Sequence, residues 1–186
     1  MEDLREIVEA CVSGDSRAQE QLYRRMAPKM YGVCLRYAKD ATEAEDNLQE
    51  GFLKVFANLS RFRHQGSFEG WVRRIMVNVS IEYYRKRKQL LAVEDMSRYD
   101  VTAQPNEALV NLTAEELTRI IQELPPRYRM IFNLYVMEGY NHQEISEMLD
   151  ISVGASKSGL SRAREILRRK LYDINEREEV KVTRYE

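Results

Sequence analysis

Residues 141–171 read NHQEISEMLDISVGASKSGLSRAREILRRKL, and the pattern of this stretch decides how the second half of the chain folds. Asn141 is followed three residues later by Glu144, a spacing typical of the capping box that starts a helix. The pattern predicts a short helix, a turn at residues 150–154 and a longer helix rich in Ser, Lys and Arg. This arrangement is typical of a helix-turn-helix, whose second helix fits the major groove of duplex DNA. The residues expected to pack the two helices together are Ile145, Leu149, Ile151 and Leu160.

The second helix of this motif has a polar face that suits DNA. Lys157 and Arg162 can reach guanine acceptors or phosphates, and Arg164 is expected to contact phosphate. A helix rich in Lys and Arg is often only a solvated face, but the capped helix ahead of it favours DNA binding here. The residues predicted to face outward are Lys157, Ser158, Ser161 and Arg162.

The whole chain is predicted to be all-α. It has only 8 Gly and 4 Pro among 186 residues, and its apolar residues recur at helical spacing. We expect two small helical domains joined by a flexible acidic linker, with the helix-turn-helix in the second. The predicted boundaries are a first domain at residues 1–90, a linker at 91–112, a second domain at 113–174 and a tail at 175–186.

Capping residues and prolines predict several helix boundaries. Thr42 with Glu45 is typical of a capping box, and Pro28 with Gly32 predicts a kink or break in a helix over residues 22–37. Ser67 is expected to cap a helix with Trp71, Val72, Ile75 and Val79 on one face. The other predicted boundaries are a capping box of Thr113 with Glu116, a helix start at Pro126 and a helix end at Gly139.

The charges are balanced overall but unevenly distributed. The chain has 29 basic and 30 acidic residues, for a net charge of −1. Residues 61–90 hold eight basic and two acidic groups, and residues 157–172 hold six and one. Such blocks attract phosphate, because its binding releases condensed counterions. The sequence therefore predicts two separate nucleic-acid sites in an otherwise acidic protein.

The first basic block differs from the second because aromatic residues lie within it. Bases of unpaired DNA stack on aromatic rings while flanking cations follow the backbone. Trp71 and Phe68 fit the core better than a binding surface, since Trp71 shares a helix face with apolar residues. Asn78 lies one helical turn from Arg74, away from that face, and offers a donor and an acceptor to a base edge.

Other classes of protein fit the composition poorly. The longest stretch without a charged residue is the eight residues 130–137, far short of the ~20 that cross a bilayer. Cys11 and Cys34 are too few for a disulfide framework, which favours a reducing cytosol. His64 and His142 lie in different predicted domains, and each is expected to be a surface or capping residue. We expect no metal site, no cofactor and no enzymatic activity.

Two basic blocks in this order, with an acidic segment between them, are typical of a known family. The chain resembles the sigma factors of bacterial RNA polymerase, specifically the extracytoplasmic-function group, group IV of the sigma-70 class. In the first domain the matching residues are 44–56 (AEDNLQEGFLKVF), 68–75 (FEGWVRRI), Asn78 and 84–87 (YRKR). In the second they are 124–129 (LPPRYR), Glu144 with Ile145, and 154–164 (GASKSGLSRAR).

The resemblance implies a role for each group of residues. The residues implied to bind the clamp coiled coil of core RNA polymerase are Asp46, Gln49, Glu50 and Lys54. Capture of the melted minus-10 strand falls to Arg61, Phe62, Arg63, Phe68, Arg74, Asn78, Arg85, Lys86 and Arg87. Recognition of the minus-35 duplex falls to Ala155, Ser156, Lys157, Ser158, Ser161, Arg162 and Arg164.

The resemblance also implies partners and a location. They are core polymerase, through its clamp and flap, promoter DNA, and a membrane-linked anti-sigma factor, with no small-molecule substrate. The protein would act in the cytoplasm, and the acidic linker would thread toward the active-site and RNA-exit channels of the polymerase.

The motif departs from the family pattern at three places, Asp150, Gly159, and Ser146 with Ser156, the two serines replacing the usual small or branched apolar residues. Asp150 stands where the turn often has glycine, but aspartate tolerates the left-handed conformation better than most residues. Gly159 stands where many relatives have a longer polar residue. We place Gly159 on the DNA face, so that Gly159→Arg is expected to tighten promoter binding.

Two other interpretations each fit part of the sequence. A helix-turn-helix transcriptional regulator that acts without core polymerase accounts for residues 141–171 but not for the aromatic and basic residues between 62 and 88. A helical interaction protein, such as an adaptor, would treat both basic blocks as solvated surface.

Overall fold

The computed structural model describes residues 4–63, 65–90 and 113–182, with side chains described up to residues 87 and 174 of the last two ranges. The predicted linker, His64 and the last four residues lie outside the described residues. All regular structure in the described ranges is helical, which confirms the predicted all-α fold. The α-helices are α1 (Leu4–Val12), α2 (Ser16–Tyr37), α3 (Ala41–Asn58), α4 (Phe68–Leu90), α5 (Ala114–Gln122), α6 (Pro126–Phe132), α7 (His142–Leu149) and α8 (Val153–Val182).

The chain divides into two compact units, Met1–Lys86 and Arg87–Glu186. Two short segments complete them: a 3₁₀ turn at Leu59–Arg61 after α3, and a π-helical segment at Asn133–Met137 that continues α6. No helix in the described part of the chain has both the length and the apolar character needed to cross a membrane.

The helix start predicted at Thr42 is wrong, and of the kink or break predicted at Pro28 the break does not occur. Asp40, not Thr42, caps α3, because its carboxylate accepts a hydrogen bond from the Glu43 amide at 2.9 Å. The helix α2 also runs unbroken through Pro28. Pro28 is exposed, while residues before and after it on the opposite side are buried and hold both halves of the helix against the core. This packing offsets the cost of an internal proline, about 3 kcal/mol.

A close approach between α3 and α4 organises the first unit. Gly51 is buried in α3, and a Cβ built on it would overlap the sulfur of Met76 in α4. The core face of α4 is centred on Val72, Met76 and Val79. The predicted face, with Trp71 and Ile75, is therefore rotated from the observed one, since both of those side chains are only half-buried.

Several boundaries predicted around the units are confirmed. Ser67 Oγ accepts a hydrogen bond from the Gly70 amide at 3.0 Å and caps α4. Thr113 and Glu116 form a capping box at the start of α5. Pro126 occupies the first turn of α6, and Gly139, at φ +79°, ends the helical segment that follows.

The core of the second unit lies between α5, α6 and α8. Arg129 is buried in α6, and its Nη1 donates a 2.6 Å hydrogen bond to the Gln122 carbonyl, which ties α6 to the end of α5. The helix α8 extends beyond residue 174, so that part of the predicted tail has a helical backbone. The apolar cluster consists of Ile120, Ile121, Leu124, Ala163, Ile166 and Leu167.

Gly159 lies inside this unit and not on a DNA face. A Cβ built on it would lie 2.5 Å from Ile131 Cδ1 and 3.7 Å from Tyr128 Cδ1, both in α6. Glycine therefore lets α8 approach α6 closely. The expectation that Gly159→Arg adds a DNA contact is wrong, because an arginine here would be directed into α6.

Replacing Gly159 by Arg is expected to destabilise the second unit by about 1–3 kcal/mol, the usual cost of overpacking a core. The change adds a Cβ against Ile131 and removes a guanidinium from water, which outweighs a gain in helix propensity of about 1 kcal/mol over glycine. Ser158→Arg is the matched control, because Ser158 is adjacent and exposed. Urea and thermal unfolding followed by circular dichroism measure both variants. A Gly159→Arg protein as stable as the wild type would contradict this placement of α8.

Candidate nucleic-acid interface

The predicted polymerase-binding residues share one exposed side of α3, which we call the α3 face. Asp46, Gln49 and Glu50 are exposed on it. Lys54 is half-buried, and its Nζ lies 2.6 Å from the Glu82 carboxylate of α4 and 3.9 Å from that of Glu50. Lys54 is thus held within the molecule.

An apolar residue that the sequence analysis missed also lies on this helix. Leu53 is 65% exposed, next in sequence to the core residue Phe52. It falls outside the apolar stripe that defines the buried side of α3, and this mismatch is the signal that could have identified it. A single exposed leucine is common on protein surfaces, so Leu53 gains meaning only from its position on the α3 face.

The loop before α4 is held by three aromatic rings. The ring centroid of Phe62 lies 5.2 Å from that of Phe68 and 5.5 Å from that of Trp71. Arg61 and Arg63, on either side of Phe62, are exposed. Phe68 is only 7% exposed, because it fills the space between the loop and the helix. Its burial fits the core placement and does not favour the direct DNA contact predicted for it.

The exposed side of α4 carries the amide and the cations expected there. Arg74 and Asn78 are exposed one helical turn apart, and Arg85 and Lys86 are exposed nearer the end of the helix. Arg87 is half-buried. Glu82 follows Asn78 by one turn, but its carboxylate is paired with Lys54. These exposed groups form a row that can contact both a base edge and phosphates.

The helix-turn-helix forms as predicted. The Asn141 side chain accepts hydrogen bonds from the amides of Gln143 and Glu144, and the Glu144 carboxylate accepts one from the Asn141 amide at 2.7 Å. Asp150 adopts the left-handed conformation at φ 52°, which confirms that aspartate replaces glycine in the turn. Ser152 Oγ then accepts a hydrogen bond from the Ala155 amide at 3.1 Å and caps α8.

The exposed face of α8 holds most of the predicted minus-35 residues. Ala155 is half-buried. Ser156 is 0% exposed, because it lies one turn before the core residue Leu160, and its Oγ is 3.0 Å from Nδ1 of His142. The prediction that Ser156 contacts DNA is therefore wrong for this arrangement. The predicted residues that are exposed are Lys157, Ser158, Ser161, Arg162 and Arg164.

Helical spacing arranges this face in two rows with different charges. The first row contains Lys157, Ser161, Arg164 and Arg168, and the second contains Ser158, Arg162, Glu165 and Arg169. In the second row, Arg162 Nη1 lies 3.0 Å from the Glu165 carboxylate, which lowers the positive charge of that row.

His142 is more than a surface or capping residue. Its ring stacks on Tyr135 of the π-helical segment, with centroids 4.6 Å apart, and Arg164 lies 5.8 Å from the Tyr135 centroid. Burial lowers the pKa of His142, and the charges of Lys157 and Arg164 lower it further. No sequence motif pointed to this cluster, since its members come from three separate elements.

Comparison with known proteins gives two family matches in order along the chain. The model of Sigma-70 region 2 matches residues 22–89, and that of Sigma-70, region 4 matches residues 114–167. Among solved structures, the sigma factor RpoE of Bartonella quintana, in complex with the anti-sigma factor NepR, is similar with a TM-score of 0.49. It is 20% identical, over 82% of this chain and 95% of that chain.

Two curated relatives match over almost their full length. The ECF RNA polymerase sigma-E factor of Haemophilus influenzae is 29% identical over 180 residues, which cover 90% of this chain and 95% of the relative. The ECF RNA polymerase sigma factor SigW of Bacillus subtilis is 32% identical over 176 residues, which cover 87% of this chain and 92% of the relative. These matches confirm the resemblance predicted from the motifs, and the chain belongs to the extracytoplasmic-function group of RNA polymerase sigma factors.

Proposed function

We propose that this sigma factor uses its two units for two different forms of promoter DNA. The first unit captures the unpaired minus-10 strand, and the second reads the minus-35 element as a duplex. The observation that carries this division is the chemistry of the two exposed faces. The exposed side of α4 has the amide of Asn78 together with cations, and it lies beside a loop held by aromatic rings. The exposed face of α8 instead has cations and hydroxyl groups on a recognition helix.

In the first unit, capture of a strand starts at the loop before α4. Arg61 and Arg63 attract phosphates, and Phe62, which is only half-buried, keeps exposed area that a base can contact. Asn78 then has the donor and acceptor needed to hold a flipped base, with Arg74 beside it. Phe68 supports this site from below by fixing Phe62.

In the second unit, the exposed residues at the start of α8 are placed for the major groove. Ser158 and Ser161 lie in the first turns of the helix, where recognition helices contact base edges, and Lys157 beside them can reach a base edge or a phosphate. Arg164 lies further along and suits a phosphate. Arg162 must exchange Glu165 for a DNA acceptor, which makes its contact depend on the DNA presented.

Promoter opening requires the polymerase as well. Melting about ten base pairs costs about 1.4 kcal/mol per stacked step, more than one small unit recovers. The α3 face, with Asp46, Gln49 and Glu50, docks on the clamp of core polymerase, and Leu53 adds apolar area to that contact. RNA synthesis itself belongs to the core enzyme, and the sigma factor therefore acts in the cytoplasm, where the polymerase is.

We assign the domains accordingly. Residues 1–90 form the region 2-like domain, 91–112 the linker, 113–174 the region 4-like domain and 175–186 the tail. The region 4-like domain also contacts the flap of the polymerase. A membrane-linked anti-sigma factor, as expected for this family, would cover the DNA-binding and polymerase-binding faces until a signal releases it.

Asp46→Lys is expected to weaken binding to core polymerase at least tenfold, which corresponds to about 1.4 kcal/mol. The change reverses a charge on the α3 face without touching the core. Competition against wild-type sigma factor for purified core polymerase measures the loss. Glu6→Lys, an exposed reversal on α1, is the matched control. Equal binding by Asp46→Lys and the control would remove the α3 face from the interface.

Asn78→Ala and Arg85→Ala are expected to affect the minus-10 strand in different ways. Loss of a base-edge contact costs about 1–3 kcal/mol and relaxes base preference at one position. Loss of a phosphate contact weakens binding evenly over sequences and lowers the salt dependence by about 0.7 for a single strand. Holoenzyme binding to a randomised single-stranded library, sequenced after selection at two salt concentrations, separates these effects. Asn78→Ala with an unchanged base preference at every position would contradict its placement at the flipped base.

A further inference from the structure

The His142 ring itself has no part in the functions assigned above, although Lys157 and Arg164 beside it are proposed to contact DNA. His142 is the first residue of α7, stacks on Tyr135, and lies within hydrogen-bond distance of the buried Ser156 hydroxyl of α8. The imidazole is therefore held between the first helix of the motif, the π-helical segment and the recognition helix. A ring fixed by three elements next to a DNA-binding face can report on what binds there.

The charges around His142 are mainly positive. From α8, Lys157 and Arg164 both act on the ring. From its own helix, Glu144 is held in the capping box by the Asn141 amide. Tyr135 contributes an aromatic ring, and Glu138 follows that segment. Neither carboxylate offsets the two cations in their action on His142. In the free protein, burial and these two cations thus favour the uncharged form of the ring.

The same two cations lie on the less neutralised side of the recognition helix. Within the described residues, Lys157 and Arg164 have no carboxylate at ion-pair distance, whereas Arg162 of the other row is paired with Glu165. Lys157 and Arg164 are two turns apart on one row, so both can contact the same strand of a DNA backbone. An anion is the missing partner of this arrangement.

We propose that His142, Lys157 and Arg164 form a binding site for a phosphodiester group of duplex DNA, and that His142 takes up a proton when the site is occupied. The inference rests on the proposed minus-35 role of the second unit. His142 is a positioning residue in the free protein, through Ser156 and Tyr135. It becomes a charged member of the interface in the complex.

Electrostatics gives the direction of this coupling. A phosphate cancels the field of Lys157 and Arg164 and places an opposite charge near the imidazole, and both effects favour the protonated ring. The pKa of His142 therefore rises on binding from a free value below 6.5. Because the complex holds the proton more tightly, duplex affinity increases as the pH falls through the pKa of the complex. Below the pKa of the free protein the affinity stops increasing.

Protonation of His142 strengthens duplex binding but destabilises the fold of the free protein. The folded-state pKa is lower than the unfolded one, so the unfolded chain binds the proton better at mildly acidic pH. The stabilising contribution of neutral His142 is complete above the unfolded value near 6.5 and is lost as the pH falls through the folded-state value. If acidic pH changed DNA affinity only by unfolding the protein, the affinity would decrease as the pH falls, whereas the proposed coupling predicts that it increases.

The two histidines of the chain make the test direct. Carbon-13 labelled histidine in the full chain gives two imidazole signals, which His64→Gln and His142→Gln assign. Each signal is titrated across the range in which histidine ionises, without DNA and with a saturating mixed-sequence duplex at low salt. We expect the His142 midpoint to rise by about 0.5–1 pH unit when the duplex is added, as for a nearby opposite charge. A midpoint that stays or falls in duplex-bound protein overturns the inference.

Holoenzyme provides the second measurement. Its dissociation constant for the same duplex is measured at several pH values with wild type, His142→Gln and the matched control His64→Gln. For each protein, the affinity at mildly acidic pH is divided by the affinity at mildly alkaline pH. We expect this ratio to be about three- to tenfold larger for the wild type and the control than for His142→Gln, because binding takes up as much as one proton. Equal pH dependence in all three overturns the inference.

Failure of the inference is distinguishable from failure of the proposed function. Lys157→Ala weakens duplex binding at every pH if the second unit reads duplex DNA. If Lys157→Ala has no effect in the full chain or in holoenzyme, the minus-35 role itself is wrong, and the His142 site is wrong with it. If Lys157→Ala weakens binding but the His142 midpoint does not rise, only the proton coupling fails. Circular dichroism over the same pH range confirms that each variant is folded.

Discussion

The close packing of α8 on α6 at Gly159 is the constraint on which the second unit depends. A helix can bury only one side, so the contact that sets its rotation also decides which residues are exposed. With Gly159 against Ile131, the buried side includes Ser156 and Leu160. Lys157, Ser158 and Ser161 are then exposed. The set of residues exposed on α8 thus follows from the packing of Gly159, a residue without a side chain.

A similar contact sets the rotation of α4 in the first unit. Gly51 lets Met76 lie directly against α3, and Val72 and Val79 complete the buried side. This rotation turns Arg74 and Asn78 to the surface and leaves Trp71 half-buried, where it can anchor Phe62. The loop and the exposed row are therefore fixed by packing on the other side of the helix. Both proposed DNA-binding faces are consequences of how a helix is buried.

Local signals predicted the helices well, and tertiary contacts explain where prediction failed. The capping boxes at Thr113 and Asn141 and the left-handed Asp150 depend only on neighbouring residues, and all three were predicted correctly. Gly159 was misplaced because its orientation depends on α6, a helix distant in sequence. Ser156 could have been placed inside from the sequence, since it lies one turn before the predicted core residue Leu160. Asp40 was missed because Thr42, two residues later, offered a competing capping pattern. The His142 cluster could not be predicted at all, since it requires the relative positions of three elements.

Ion pairs within the molecule change the charge of the proposed DNA-binding faces. The pairs Lys29–Glu69 and Lys54–Glu82 join helices of the first unit, but exposed pairs of this kind each contribute only about 0–1 kcal/mol to stability. Their larger effect is on the surface field. Without Lys54, Glu82 would present a negative charge one turn from Asn78, on the row proposed to hold a DNA strand. A chain with a net charge of −1 can thus offer two positive faces, because part of its acidic charge is paired where it would otherwise repel phosphate.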